Sequence, residues 1–217
     1  MNINFIPAWD QGVLKPLEKL EVHKKGLRHK AVSVFLISDY NVLIQKRASM
    51  KYHTPGLWAN TCCTHPLWSE DPKECAHRRL KEELGIEVSE LVYKNKIDYK
   101  ADVGNGLIEN ENVDVFVGSI KEKDNLKILL NKDEVAEVRW ICFDRLKEEI
   151  SLSPDKFTPC LIIYVQDHFE QIIHCPAYFI ILILLLRISA IPKTPRIVAV
   201  MPVTSSPASL YITFGEA

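Results

Sequence analysis

The stretch Asp71-Pro-Lys-Glu-Cys-Ala-His-Arg-Arg-Leu-Lys-Glu-Glu-Leu-Gly-Ile86 decides the fold. Asp71 can cap a helix by accepting from its first free backbone N–H groups. Pro72 fits the first helical position, where a missing N–H costs nothing, and Glu74 stands where a capping-box acid belongs. Gly85 supplies the left-handed residue that stops a helix. Between these signals Ala76, Leu80 and Leu84 recur at i, i+4 and i+8 and form an inward face, while Arg79 and Glu83, also four apart, share another.

On the N-terminal side of this helix, residues 31–37 are rich in β-formers, Asp39, Tyr40 and Asn41 form a turn, and residues 42–47 return, which predicts a hairpin. On the C-terminal side, residues 113–120 and 135–143 read as two more strands separated by a polar turn at 121–125. A second long helix is predicted to begin at Thr158-Pro159 and to run through Val165 toward Gln171. Strands before and after a central helix predict an α/β (α+β) fold, a mixed β-sheet sandwiched between helices.

The chain has 217 residues, 47% apolar and 25% charged, with a formal net charge of −1. That is the composition of a globular protein, and the balanced charge predicts no nucleic-acid partner. Any anionic ligand must be met by a local basic cluster. Six cysteines follow a start without a secretory pattern, so reduced thiols and a cytoplasmic location are expected. The apolar run at 177–186 is ten residues long before Arg187, short of the roughly 20 that span a bilayer, so no stable membrane insertion is expected. After Ile173 charge nearly vanishes, and Pro192, Pro195, Pro202 and Pro207 punctuate the sequence. This predicts a domain at 1–173 and an atypical apolar, Pro-containing tail at 174–217, either a small appendage or the product of an altered reading frame.

Several residues carry possible chemistry. His23, His29, His65, Glu109 and Glu111 are suitable ligands for a divalent metal, imidazole favouring Zn or Mn and carboxylate shifting the site toward Mn or Mg. His23 and His29 flank the loop-like Lys24-Lys25-Gly26 and read equally as solvated surface histidines. Cys63 and His65 lie on one side of an extended chain and can enter one pocket, though a lone cysteine is as readily a small buried hydrophobe. Glu109 and Glu111 share a face if extended. Two such carboxylates repel unless a cation lies between them, and one pKa is driven up. The same pair also reads as a solvated acidic loop beside Gly104-Asn105-Gly106. Arg47, Lys51, Arg78 and Arg79 are candidates for an anion site, with Arg offering a bidentate fork.

The segment 78–86 resembles the helix of the Nudix box, and Glu70, Arg78, Leu80, Glu82, Glu83, Gly85 and Ile86 match its spacing. Thr64 replaces the leading Gly and Arg79 replaces a metal-binding Glu, which argues against ordinary diphosphate hydrolysis. In order along the chain, His23 to His29, Gln45 to Arg47, Pro55 to Pro66, Arg78 to Gly85, Tyr99 and Ile108 to Glu111 resemble the type I isopentenyl-diphosphate isomerase branch of that superfamily, over roughly residues 5 to 170. The resemblance implies an enzyme interconverting isopentenyl and dimethylallyl diphosphate through a tertiary carbocation, in isoprenoid biosynthesis. It implies Cys63 and Glu111 as the acid-base pair on opposite faces of the substrate, with Tyr99 assisting. His23, His29, His65, Glu109 and Glu111 would hold Mn2+ or Zn2+, Glu83 would help hold Mg2+, and Lys19, Arg47, Lys51 and Arg79 would neutralise a small allylic or homoallylic diphosphate. One departure stands out: Cys160 occupies the position of the family Trp in Phe157-Thr-Pro-Cys160. The alternatives are therefore a Nudix pyrophosphohydrolase or a catalytically weakened diphosphate-binding homologue.

Overall fold

The computed structural model describes residues 5–173, so the predicted tail at 174–217 lies outside the described residues. The chain opens with strands β1 (Phe5–Asp10) and β2 (Val13–Glu18), helix α1 (Lys19–Lys25), and strands β3 (His29–Ser38), β4 (Asn41–Arg47), β5 (Trp58–Ala59) and β6 (Cys62–Thr64). Helix α2 (Pro72–Leu84), the long strands β7 (Val92–Asp102) and β8 (Ile108–Ser119), and β9 (Val135–Cys142) follow. Helices α3 (Phe143–Leu152), α4 (Pro159–Asp167) and α5 (Phe169–Ile172) complete the described elements.

Helix α2 forms as its sequence dictates. The Asp71 carboxylate accepts from the backbone N–H of Lys73 at 2.8 Å and of Glu74 at 3.2 Å. Gly85, at φ 63°, donates back to Lys81 O at 3.0 Å. Ala76, Leu80 and Leu84 are fully buried. The last carbonyls of α2 would otherwise lack partners. They are met by the chain leading to β9, where Leu129 N–H donates to Leu84 O and Asn131 N–H donates to Glu83 O. The predicted polar turn after β8 is thus the start of a longer connection whose Ile128 and Leu130 pack under α2.

The predicted hairpin forms, but only at its tip. Strands β3 and β4 pair only at Ile37 with Val42 and Ser38 with Asn41, and then part. Beyond that point β3 takes β6 on one side and β8, in parallel, on the other, while β4 takes β5 and β9. The reason lies in β3, which is buried on both faces and so needs ladder partners along both edges. Its residues split by parity. Ala31 and Phe35 join Val113, Val115 and Val117 of β8 under α3 and α4, whereas Val32, Val34 and Leu36 face Ala76, Leu80 and Leu84 of α2. The sheet is therefore sandwiched between α2 and the C-terminal helices, as the sequence predicted.

Candidate active site

Register builds the site. The parallel pairing of β3 with β8 places His29 directly beside Glu111, and the antiparallel pairing of β7 with β8 places Tyr99 on its other flank. The three side chains form a row across three strands on the α4 face. The acidic pair begins β8 rather than preceding it, and with Glu109 only 6% and Glu111 only 2% exposed, the solvated-loop alternative is excluded.

His23 and His29 are likewise not surface residues, since both are fully buried. His23 lies on α1, a short helix capped at its start by Glu18, whose carboxylate accepts from Leu20 and Glu21 N–H, and ended by Gly26 at φ 60°. The helical i−4 spacing lets His23 Nδ1 donate to Lys19 O at 2.7 Å, and His29 Nδ1 donates to Leu27 O at 2.7 Å. A carbonyl can only accept, so in each neutral ring the proton sits on Nδ1 and Nε2 presents a lone pair. Both Nε2 atoms are buried without a hydrogen-bond partner.

One ligand atom from each of His23, His29, His65 and Glu111 lies within 4.8 Å of all the others. Donors around a metal with bonds near 2.1 Å are separated by roughly 3 to 4 Å, so this quartet fits a divalent ion. His29 Nε2 faces Glu111 Oε1 at 3.5 Å, lone pair toward carboxylate, an arrangement that calls for a cation between them. Glu109 falls outside the quartet. It hydrogen-bonds Tyr99 and lies 3.7 Å from His53 Nε2.

Tyr99 Oη is 2.8 Å from Glu109 Oε2 and 2.8 Å from Glu111 Oε2. A phenol has one hydrogen, so both contacts are satisfied when Glu109 is protonated and donates to Tyr99, which donates to Glu111. The environments agree. Burial, then the neighbouring Glu111 charge, pushes Glu109 well above the usual carboxylate range. Burial also penalises Glu111, but the adjoining imidazoles, with His65 Nε2 3.1 Å from its Oε1, outweigh it and hold Glu111 well below that range. Opposite them, Cys63 lies on β6 beside Ser33 of β3. Its half-buried thiol packs beside Cys160, and that neighbour, then removal from water, push it well above the ordinary thiol range, so it is protonated at neutral pH.

Cys63, His65, Glu109 and Glu111 line one pocket with Lys19, Arg47, Lys51, Arg79 and Glu83. Lys19 is lowered to about 8, by burial and then by Lys51, Arg79 and Arg47, which records how closely these cations gather. Lys51 is paired with Glu134, and Arg79 with Glu82 at 2.9 Å and Glu83 at 2.5 Å. Glu83 is therefore already engaged through one oxygen by Arg79 and through the other by Gln45 Nε2 at 3.1 Å. Arg78 does not join the cluster's core, because Glu70 grips it at 2.6 and 2.7 Å and Glu82 at 3.0 Å. Two contributors were missed in the sequence: Glu134, 83 residues from Lys51, and His53. No local pattern marks either one.

Residues 27–161 match the NUDIX domain family. The fold neighbours agree: a Deinococcus radiodurans protein superposes with TM-score 0.58 at 14% identity over 76% of this chain and 96% of its own. A MutT NUDIX hydrolase from Burkholderia pseudomallei superposes with TM-score 0.51 at 19% identity over 65% and 98%. The fold and its helix α2 thus make this a Nudix-fold protein. Curated relatives narrow the class. A protein from Dinoroseobacter shibae named isopentenyl-diphosphate Delta-isomerase is 53% identical over 78% of this chain and 95% of its own length. A protein of the same name from Roseobacter denitrificans is 55% identical over 75% and 92%. The chain belongs to the isopentenyl-diphosphate Delta-isomerase family.

Proposed function

We propose that this chain interconverts isopentenyl diphosphate and dimethylallyl diphosphate. The observation that carries the reading is a single pocket holding a protonated thiol, Cys63, opposite a Tyr99-linked carboxylate, Glu111, with four cations converging on it. In the forward direction a proton adds to the terminal methylene carbon, charge develops at the branched carbon, and a proton leaves the neighbouring methylene. The first step needs a proton donor and the second an acceptor on the other face. Cys63 and Glu111 serve these roles, and Tyr99 with Glu109 stores or returns a proton beside Glu111. The buried surroundings of Cys63, Tyr99 and Glu111 exclude water that would capture the cation.

His23, His29, His65 and Glu111 would hold a divalent ion, Mn2+ or Zn2+, which would fix the carboxylate and favour its charged form. Glu109 joins that set only by a change of side-chain position. Glu83 would help hold Mg2+ for the diphosphate, for which the Arg79 contact must open. Lys19, Arg47, Lys51 and Arg79 neutralise the diphosphate. Arg79 and its pairs with Glu82 and Glu83 disfavour a pyrophosphohydrolase, since they occupy the carboxylates such an enzyme gives to metal.

Cys63→Ala and Glu111→Gln are each expected to lower isomerisation by roughly a hundred- to ten-thousandfold with the fold retained by circular dichroism. Full activity in either variant would remove these roles.

A further inference from the structure

We infer that His53 is a positioning residue that ties the anion-binding Arg47 to the Glu109 carboxyl. The inference rests on the proposed function for what the two ends of the pocket bind. His53 is 5% exposed, and its Nδ1 lies 2.8 Å from Arg47 Nη2, which also donates to the His53 backbone carbonyl at 3.2 Å. A guanidinium carries donors only and stays charged at any accessible pH. Nδ1 must therefore accept, and the single ring proton of neutral His53 is fixed on Nε2. That nitrogen is buried, has no closer hydrogen-bond partner, and sits 3.7 Å from Glu109 Oε1.

The consequence is directional. Arg47 sets the tautomer of His53, and the tautomer aims an N–H at the carboxyl next to the acid-base machinery. In return His53 grips one end of the Arg47 fork from two sides. Arg47 Nε, buried and without a partner among the described residues, is left for an anion in the pocket that Arg47 lines. One imidazole thus sets the separation between the group that meets the diphosphate and the carboxyls that meet the hydrocarbon. An error of about 1 Å in such a separation can cost a hundredfold in rate.

Two substitutions separate the ring's two halves. His53→Asn puts an amide oxygen near the place of Nδ1, keeping the acceptor for Arg47 and deleting the donor toward Glu109. His53→Gln puts an amide nitrogen near the place of Nε2, keeping that donor and deleting the acceptor. Isothermal titration with inorganic pyrophosphate, isomerase kinetics and the ring-nitrogen NMR shifts of His53 at neutral pH read the outcome. His53→Asn is expected to hold pyrophosphate affinity and KM near those of the unaltered protein while kcat falls ~tenfold, whereas His53→Gln is expected to raise Kd and KM ~tenfold with a smaller change in kcat. The NMR shifts are expected to show the Nε2–H tautomer. Equal pyrophosphate binding and equal kinetics in all three proteins, or an Nδ1–H tautomer, overturns the role of His53 alone. Failure of the unaltered protein to bind pyrophosphate overturns the proposed function, and the Arg47 half of this inference with it.

Discussion

Cys160 stands in the first turn of α4, 4% exposed, with its thiol donating to Thr158 Oγ1 at 3.2 Å and meeting that of Cys63. In the family resemblance this position carries a Trp, whose π face stabilises a carbocation, and a thiol offers no such face. A desolvated cation–π contact is worth about 2 kcal/mol, so Cys160→Trp is expected to raise kcat roughly thirtyfold, measured with labelled isopentenyl diphosphate. An unchanged or lower kcat in a folded variant would show that the pocket has adapted to the smaller side chain. Lys19 gives a second prediction at this scale. Its ammonium is charged below about pH 8 and neutral above, because burial and three neighbouring cations depress it. A diphosphate needs the charged form, so kcat/KM is expected to fall as pH rises through about 8, and Lys19→Arg is expected to abolish that alkaline limb. The same sign applies to folding. The unfolded chain binds this proton more tightly, so on this group's account stability rises, not falls, from about pH 8 toward 10.5.

Among elements, α2 was legible because everything that specifies it is local: a cap at Asp71, Pro72 at the start, apolar residues four apart, and Gly85 at the stop. Gly85 also shows what could not be read. A Cβ there would lie 2.7 Å from Leu129 Cβ, a contact made by a segment 44 residues further along the chain. Gly85→Ala is therefore expected to destabilise the protein by about 1 to 3 kcal/mol, from the left-handed backbone and the clash together, seen as a lower urea midpoint at unchanged slope. Strand β7 alternates exposed and buried residues only from Lys96 onward, with Ile97 and Tyr99 inward, and its first half loses that period at a register shift between Tyr93 and Asn95, which weakens the strand pattern in the sequence. Helix α1 is only seven residues long, too short for a helical period to show, so the sequence around His23 reads as a loop. The residue types of the site were all visible in the sequence. Their convergence was not, because it depends on the pairing of His29 with Glu111 across 82 positions, a register fixed only when β3 is buried on both faces.

At the scale of the molecule, the described residues pack one large apolar cluster under α2 and another under α3 and α4. We propose on that ground that residues 1–173 form a self-sufficient domain. A chain ending after Ile173 would then melt as cooperatively as the full chain. Among the described residues no helix is long and apolar enough to cross a membrane. The site lies where strands from both halves of the chain come together, α1, β3 and the residue after β6 supplying imidazoles, β8 the carboxylates, β6 the thiol, and α1, β4, the β4–β5 segment and α2 the cations. On the proposed function, this assembly isomerises a five-carbon diphosphate with a divalent ion bound at His23, His29, His65 and Glu111. Turnover of labelled isopentenyl diphosphate by metal-stripped and metal-restored protein tests it most directly. Metal-stripped protein is expected to convert no faster than the Cys63→Ala variant, and full conversion is expected to return on adding Mn2+ or Zn2+ together with Mg2+. Equal conversion with and without metal, or none under any metal, would contradict it.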